Sequence, residues 1–147
     1  MTPELVAFVR QVEELRLYAY LDQVGLPTIG YGHQIASIDH PAISDAEAHQ
    51  LLADDLAKAE AAALTLCPNL ASEPRRLAAL TDLCFNVGAS ALEGSGVVRC
   101  LAAGDWTGAA VRFRRWDHAR GADGVLHELP ELKARRETGA EWIEQGG

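Results

Sequence analysis

Apolar residues in this chain recur mostly at helical spacing. Leu5, Phe8, Val9, Val12 and Leu15 lie on one face, Thr2 can cap the run and Pro3 suits a first helical position. A helix ending close to Glu13 is therefore predicted. Over residues 18–33 the pattern changes: Tyr, Thr and Ile interleave with Gly25, Pro27, Gly30 and Gly32, which favours short strands, tight turns and a small hairpin beginning near Tyr18. Ser44 and Glu47 form a capping box for an Ala/Leu-rich helix over about 44–66, which Pro68 stops. Ser72 and Pro74 open the next helix, with Leu77, Leu80, Cys84 and Val87 on one face and Gly88 at its end. Further helices are predicted from Ser95 to Gly104 and from Asp105 through Ala109, Phe113 and Trp116. A glycine-containing loop at 118–127 and a last helix after Pro130 follow. The pattern is α+β, mainly helical, with one small β element near the start.

Composition narrows the class. With 147 residues, 48% of them hydrophobic, the chain can bury one sizeable core. No apolar run approaches the roughly 20 residues that span a bilayer, so no membrane insertion is expected. Glu4, Arg10, Glu13 and Glu14 interrupt the stretch a signal peptide would need, which predicts a protein made soluble in the cytoplasm. Cys67, Cys84 and Cys100 are odd in number, lack CxxC spacing and have apolar neighbours, as buried core thiols do. The net charge of −8 excludes nucleic-acid binding through a general basic surface. Gly30-Tyr31-Gly32 lacks the third glycine of a dinucleotide site. His40 and His49, with Asp39 and Asp45, make a poor metal set, so neither a cofactor nor a metal is expected.

The stretch from Glu13 to His33 carries the candidate chemistry. Hydrolysis of a glycosidic bond needs a proton donor for the leaving oxygen and a second group that positions a water or stabilises charge at the sugar carbon. A carboxyl at a helix end, partly shielded by packing, suits the first task, and Glu13 stands there. A more solvated carboxylate on a turn suits the second, and Asp22 stands there. Thr28 offers a hydroxyl to hold the attacking water.

The same stretch resembles the active-site signature of the phage-type lysozymes, also called endolysins or muramidases. Glu13, Arg16-Leu17, Tyr20, Asp22, Gly25, Thr28-Ile29-Gly30, Gly32 and His33 all stand in register with it. Leu51-Leu52 with Asp55, Phe85-Asn86-Val87-Gly88, Gly104-Asp105 with Ala109-Ala110, Phe113 and Trp116, and Leu132 with Arg135-Arg136 resemble later blocks of that family. The resemblance covers roughly residues 4–143. It implies a single two-lobed domain: an N-terminal α/β lobe over about 12–55, a connecting helix over about 44–66, and a helical lobe over about 67–147 packed with the N-terminal helix.

By the same resemblance Glu13 is the general acid, Asp22 orients the water with Thr28 beside it, and the reaction inverts the anomeric centre. Asn86, Phe85 and Tyr31 are implied to bind substrate, and His33 with Asp55 to form a structural ion pair. The implied substrate is peptidoglycan, cut between N-acetylmuramic acid and N-acetylglucosamine by a monomer that a separate holin releases to the wall. A non-catalytic peptidoglycan-binding relative and a lytic transglycosylase are the alternatives.

Two features depart from the family. Glu14 replaces a glycine commonly found after the catalytic Glu; its carboxylate either crowds Glu13 or points to water. The chain is also acidic, with Arg112, Arg114, Arg115 and Arg120 as its best basic patch, either a solvated helix face or a surface for anionic peptide stems.

Overall fold

The computed structural model describes residues 1–120 and 123–147. Helix α1 (Pro3–Val12) begins where the Thr2 hydroxyl accepts from the Leu5 amide at 3.2 Å, and it buries Leu5 and Val9. It ends because Glu13 turns extended while its amide still donates to the Val9 carbonyl at 2.8 Å. Strands β1 (Arg16–Leu21), β2 (Pro27–Gly30) and β3 (His33–Gln34) then form an antiparallel sheet in sequence order. Tyr20 faces Thr28 and Leu21 faces Pro27, with an irregularity between Arg16 and Tyr20.

Helix α2 (Asp45–Leu66) starts at the reciprocal Ser44–Glu47 cap and buries Ala48, Leu52, Leu56, Ala59 and Ala63, a stripe at three- and four-residue spacing. It packs on the sheet at one end and on α3 (Pro74–Val87) along its length, so it spans both halves of the molecule. Helix α3 is buried at every position from Ala78 to Cys84, as a helix at the centre of a bundle must be. Around it lie the short α4 (Ala89–Leu92), then α5 (Gly96–Ala103) and α6 (Trp106–Arg114), joined through left-handed Gly104. The last helix, α7 (Pro130–Gln145), packs on α6 and α3. Its Gly139 lies flat against the Phe113 ring; a Cβ there would come within 2.5 Å of Phe113 Cε1. No described helix is long and apolar enough to cross a membrane.

The α+β class read from the hydrophobic pattern is the one observed. Two details differ. A 3-10 turn at Pro68–Ser72 fills the link between α2 and α3. The ends of the expected 118–127 loop pair as β4 (His118–Arg120) and β5 (Leu126–Glu128), while residues 121–122 of that loop lie outside the described residues. Arg120 Nη1 closes the hairpin on the Gly124 carbonyl at 2.7 Å.

Candidate active site

A cleft of about 630 Å³ runs between the sheet and the helical body. Glu13, Tyr20, Asp22 and Thr28 line one side of it, and Phe85, Asn86 and Gly88 from the end of α3 line another, with Asp55 and Lys58 of α2 on its floor. The sequence-predicted residues Glu13, Asp22, Thr28, Phe85 and Asn86 thus converge on one cavity.

Each side chain has a local cause for its place. Asp22 closes the β1–β2 turn: its Oδ1 accepts from the amides of Val24 and Leu26, both at 2.9 Å. Both bonds fall on one oxygen, so Oδ2 is left for a water or a sugar. Thr28 is 2% exposed and its hydroxyl donates to the Leu26 carbonyl at 2.9 Å, which leaves its lone pairs to accept from a water. Gly32, at φ +75°, brings backbone so near Glu13 that a Cβ would lie 3.1 Å from Oε2. The glycine expected only as a turn residue is therefore what lets the chain pass the carboxylate.

Glu13 does not stand alone. Arg135 of α7, 6% exposed, donates from Nη1 to Glu13 Oε1 at 2.8 Å. Its Nε and Nη2 grip the Asp82 carboxylate of α3, the closest contact being 2.7 Å. Burial works against the Arg135 cation, but Asp82 and then Glu13 outweigh it and hold its pKa above the ordinary value. Asp82, 1% exposed, is stable there only because a bidentate guanidinium meets it. Tyr20 also reports on the cavity. Partial burial first, then the Glu13 carboxylate, with Asp22 adding, push its phenol above the usual range against the opposing pull of Arg16.

His33 Nδ1 lies 2.7 Å from Asp55 Oδ2 and ties β3 to α2. Tyr31, expected among the substrate-binding residues, is 5% exposed, lies outside the cleft lining, and its hydroxyl meets His49 Nε2 at 3.2 Å. The same His49 nitrogen lies 3.1 Å from Arg10, which settles that histidine in a clasp between α1 and α2. Glu14 points to water, its side chain 80% exposed and 3.2 Å from Arg16, and its backbone needs no positive φ. Of the basic cluster, Arg114 is committed to Glu137 and Glu144 on α7.

Asp82 is the site residue that the sequence did not single out, while Arg135 and Tyr20 stood there as matched positions with no role assigned. One signal was available for Asp82: a lone acid inside the otherwise apolar or uncharged run from Leu77 to Phe85.

Likeness to known proteins follows the same outline. The phage lysozyme family model matches residues 10–139. The endolysin of Acyrthosiphon pisum secondary endosymbiont phage 1 is 30% identical over 133 residues, covering 90% of each chain. Among solved structures, the muramidase domain of SpmX from Asticaccaulis excentricus superposes with a TM-score of 0.81 at 28% identity, covering 97% of this chain and 95% of that one. The endolysin from Escherichia coli O157:H7 phage FAHEc1 does so with a TM-score of 0.79 at 26% identity, covering 97% and 90%.

Proposed function

This chain belongs to the phage lysozyme family, and we propose that it hydrolyses peptidoglycan, cleaving the β-1,4 bond between N-acetylmuramic acid and N-acetylglucosamine with inversion. The observation that carries this reading is the convergence of Glu13, Asp22 and Thr28 on one cleft of about 630 Å³, large enough for sugar rings.

Glu13 is the general acid. Its Oε1 accepts from Arg135, which leaves Oε2, beside Gly32, as the oxygen from which a proton can be transferred. That proton passes to the glycosidic oxygen as the bond to the sugar carbon breaks, and the guanidinium meets the charge left on Glu13. A water held by Asp22 Oδ2 and donating to Thr28 attacks the opposite face of the ring and gives its proton to Asp22. Asp22 then releases that proton to solvent and Glu13 takes one up, which restores both groups for the next turnover. Phe85 and Asn86 contact the glycan from the helical side. In this reading the cleft is complete within one chain, the enzyme acts as a monomer, and a separate holin passes it to the wall.

The test is mass analysis of products from purified peptidoglycan, with Glu13→Gln as control. Wild type should release muropeptides one water heavier than the intact bond, and Glu13→Gln should lose about 10²–10⁴-fold in rate. Anhydro products would make the protein a transglycosylase, and binding without products would make it a non-catalytic relative. Proton NMR of the freshly formed reducing end should show the inverted anomer.

A further inference from the structure

Arg136 is 1% exposed, among the most deeply buried of the large side chains, yet it has no carboxylate of its own. Asp82, the nearest acid, is already gripped by Arg135 and stands 4.0 Å from Arg136 Nη1, which makes no hydrogen bond among the described residues. Burial brings the Arg136 pKa down to about 10 against the pull of Asp82, so the group remains a cation at neutral pH. A cation buried with so little compensation is a costly way to fill a core, and a hydrophobic side chain of similar volume would serve stability as well or better.

What Arg136 does make is specific. Its Nε donates to the Trp116 carbonyl at 2.7 Å, and its Nη2 donates to Oδ1 of Asn86. A guanidinium has donors only, so the Asn86 atom that faces it must be the carbonyl oxygen. The amide nitrogen is then left on the other side. Asn86 lines the cleft, and its Nδ2 is neither hydrogen-bonded among the described residues nor sealed from solvent.

We propose that Arg136 is a positioning residue which locks the Asn86 amide with its NH₂ toward the cleft, so that this wall reads an acceptor oxygen, the acetamido carbonyl of an N-acetylated sugar. The inference rests on the cleft being a glycan site and names what its helical side selects. Without Arg136 the amide oxygen loses its partner and turns toward the water of the cleft, where it repels the acetamido oxygen.

The experiment measures KM and kcat on a soluble N-acetylated glycan oligomer, and Kd for the same oligomer in a Glu13→Gln background. The variants are Asn86→Ala, Arg136→Met and the double change. Losing one oriented hydrogen bond should raise KM and Kd about tenfold in Asn86→Ala while kcat stays within about twofold. Arg136→Met should raise KM by a similar factor. The double variant should be no worse than either single one, because Arg136 acts on substrate only through Asn86.

A purely structural role would move the melting temperature and leave KM untouched, or would add to the Asn86 effect; either result overturns the proposal. Asn86→Asp guards against misfolding of Arg136→Met. It keeps a partner for Arg136 but has no donor, so its KM must rise as in Asn86→Ala, and a wild-type KM there would sink the idea. The N-deacetylated oligomer should bind wild type and Asn86→Ala equally; a persistent difference would overturn the acetamido assignment. If wild type binds the oligomer but does not cut it, the hydrolase reading fails and the positioning test still stands on Kd.

Discussion

Arg135 Nη1 and Glu13 Oε1 meet at 2.8 Å, a hydrogen bond across 122 positions of sequence. The same guanidinium compensates Asp82 in the core, so one side chain serves both a cleft carboxyl and a buried one. Arg135→Met should therefore destabilise by about 3–5 kcal/mol, because Asp82 is left buried without its partner. Urea denaturation should show it, and turbidity clearing of permeabilised cells should fall with it. Asp82→Asn in that background should restore part of the stability but none of the clearing, since only the first defect is relieved.

Gly139→Ala sets two effects against each other. Alanine is favoured over glycine in a helix by about 1 kcal/mol. The added Cβ, however, would sit 2.5 Å and 2.6 Å from Cε1 and Cζ of Phe113, which is fully buried and has nowhere to move. Overpacking costs about 1–3 kcal/mol, so the clash wins. The melting temperature should drop by a few degrees, and adding Phe113→Leu to Gly139→Ala should recover part of the loss. An unchanged or higher melting temperature in the single variant would show that the ring shifts freely.

Alkaline stability should have a visible thiol component. Burial pushes the Cys84 thiol up to about 12 from an ordinary 9.0. The folded state therefore binds that proton more tightly than the unfolded one. Its stabilisation is full below about pH 9 and is lost as pH rises through about 12. Denaturation midpoints between these limits should fall less steeply in Cys84→Ala than in wild type. Native Cys84 should also resist a soluble alkylating reagent at pH 8, where it is protonated and enclosed.

A net charge of −8 sets the response to salt. The wall and the enzyme repel each other at long range, and at about 0.1 M salt such forces reach only about 10 Å. Clearing of permeabilised cells should hold level or improve as ionic strength rises from low to moderate values. A steady decline from the lowest salt upward would show that attraction, through residues such as Arg112 and Arg115, governs the encounter.

Much of the fold was legible because the helix signals are local. Thr2 with Pro3, Ser44 with Glu47, Asp105, and Pro130 each mark a start within a residue or two of the observed one. The β4–β5 hairpin was not, because three-residue strands containing His, Ala, Arg and Glu carry little strand preference. Within the site, it was the resemblance to the phage-type lysozymes, more than spacing alone, that pointed to Glu13, Asp22 and Thr28, which line one cleft. Tyr31 takes its place for a reason the linear pattern does not carry: Gly30 and Gly32 both take positive φ, and the residue between them packs against His49. The Arg135–Asp82 grip spans 53 positions and follows no helical or strand period, so nothing in the linear pattern announces it.

The contact between residues 13 and 135 also imposes an order of events during synthesis. The first helix emerges early, yet the guanidinium that grips its terminal carboxyl arrives only when nearly all of the polypeptide has been translated. Until then the acid hangs on an unanchored segment. A truncated product lacking the last helix would carry every side chain of the Glu13–His33 stretch and still lack the cation that meets its first carboxyl.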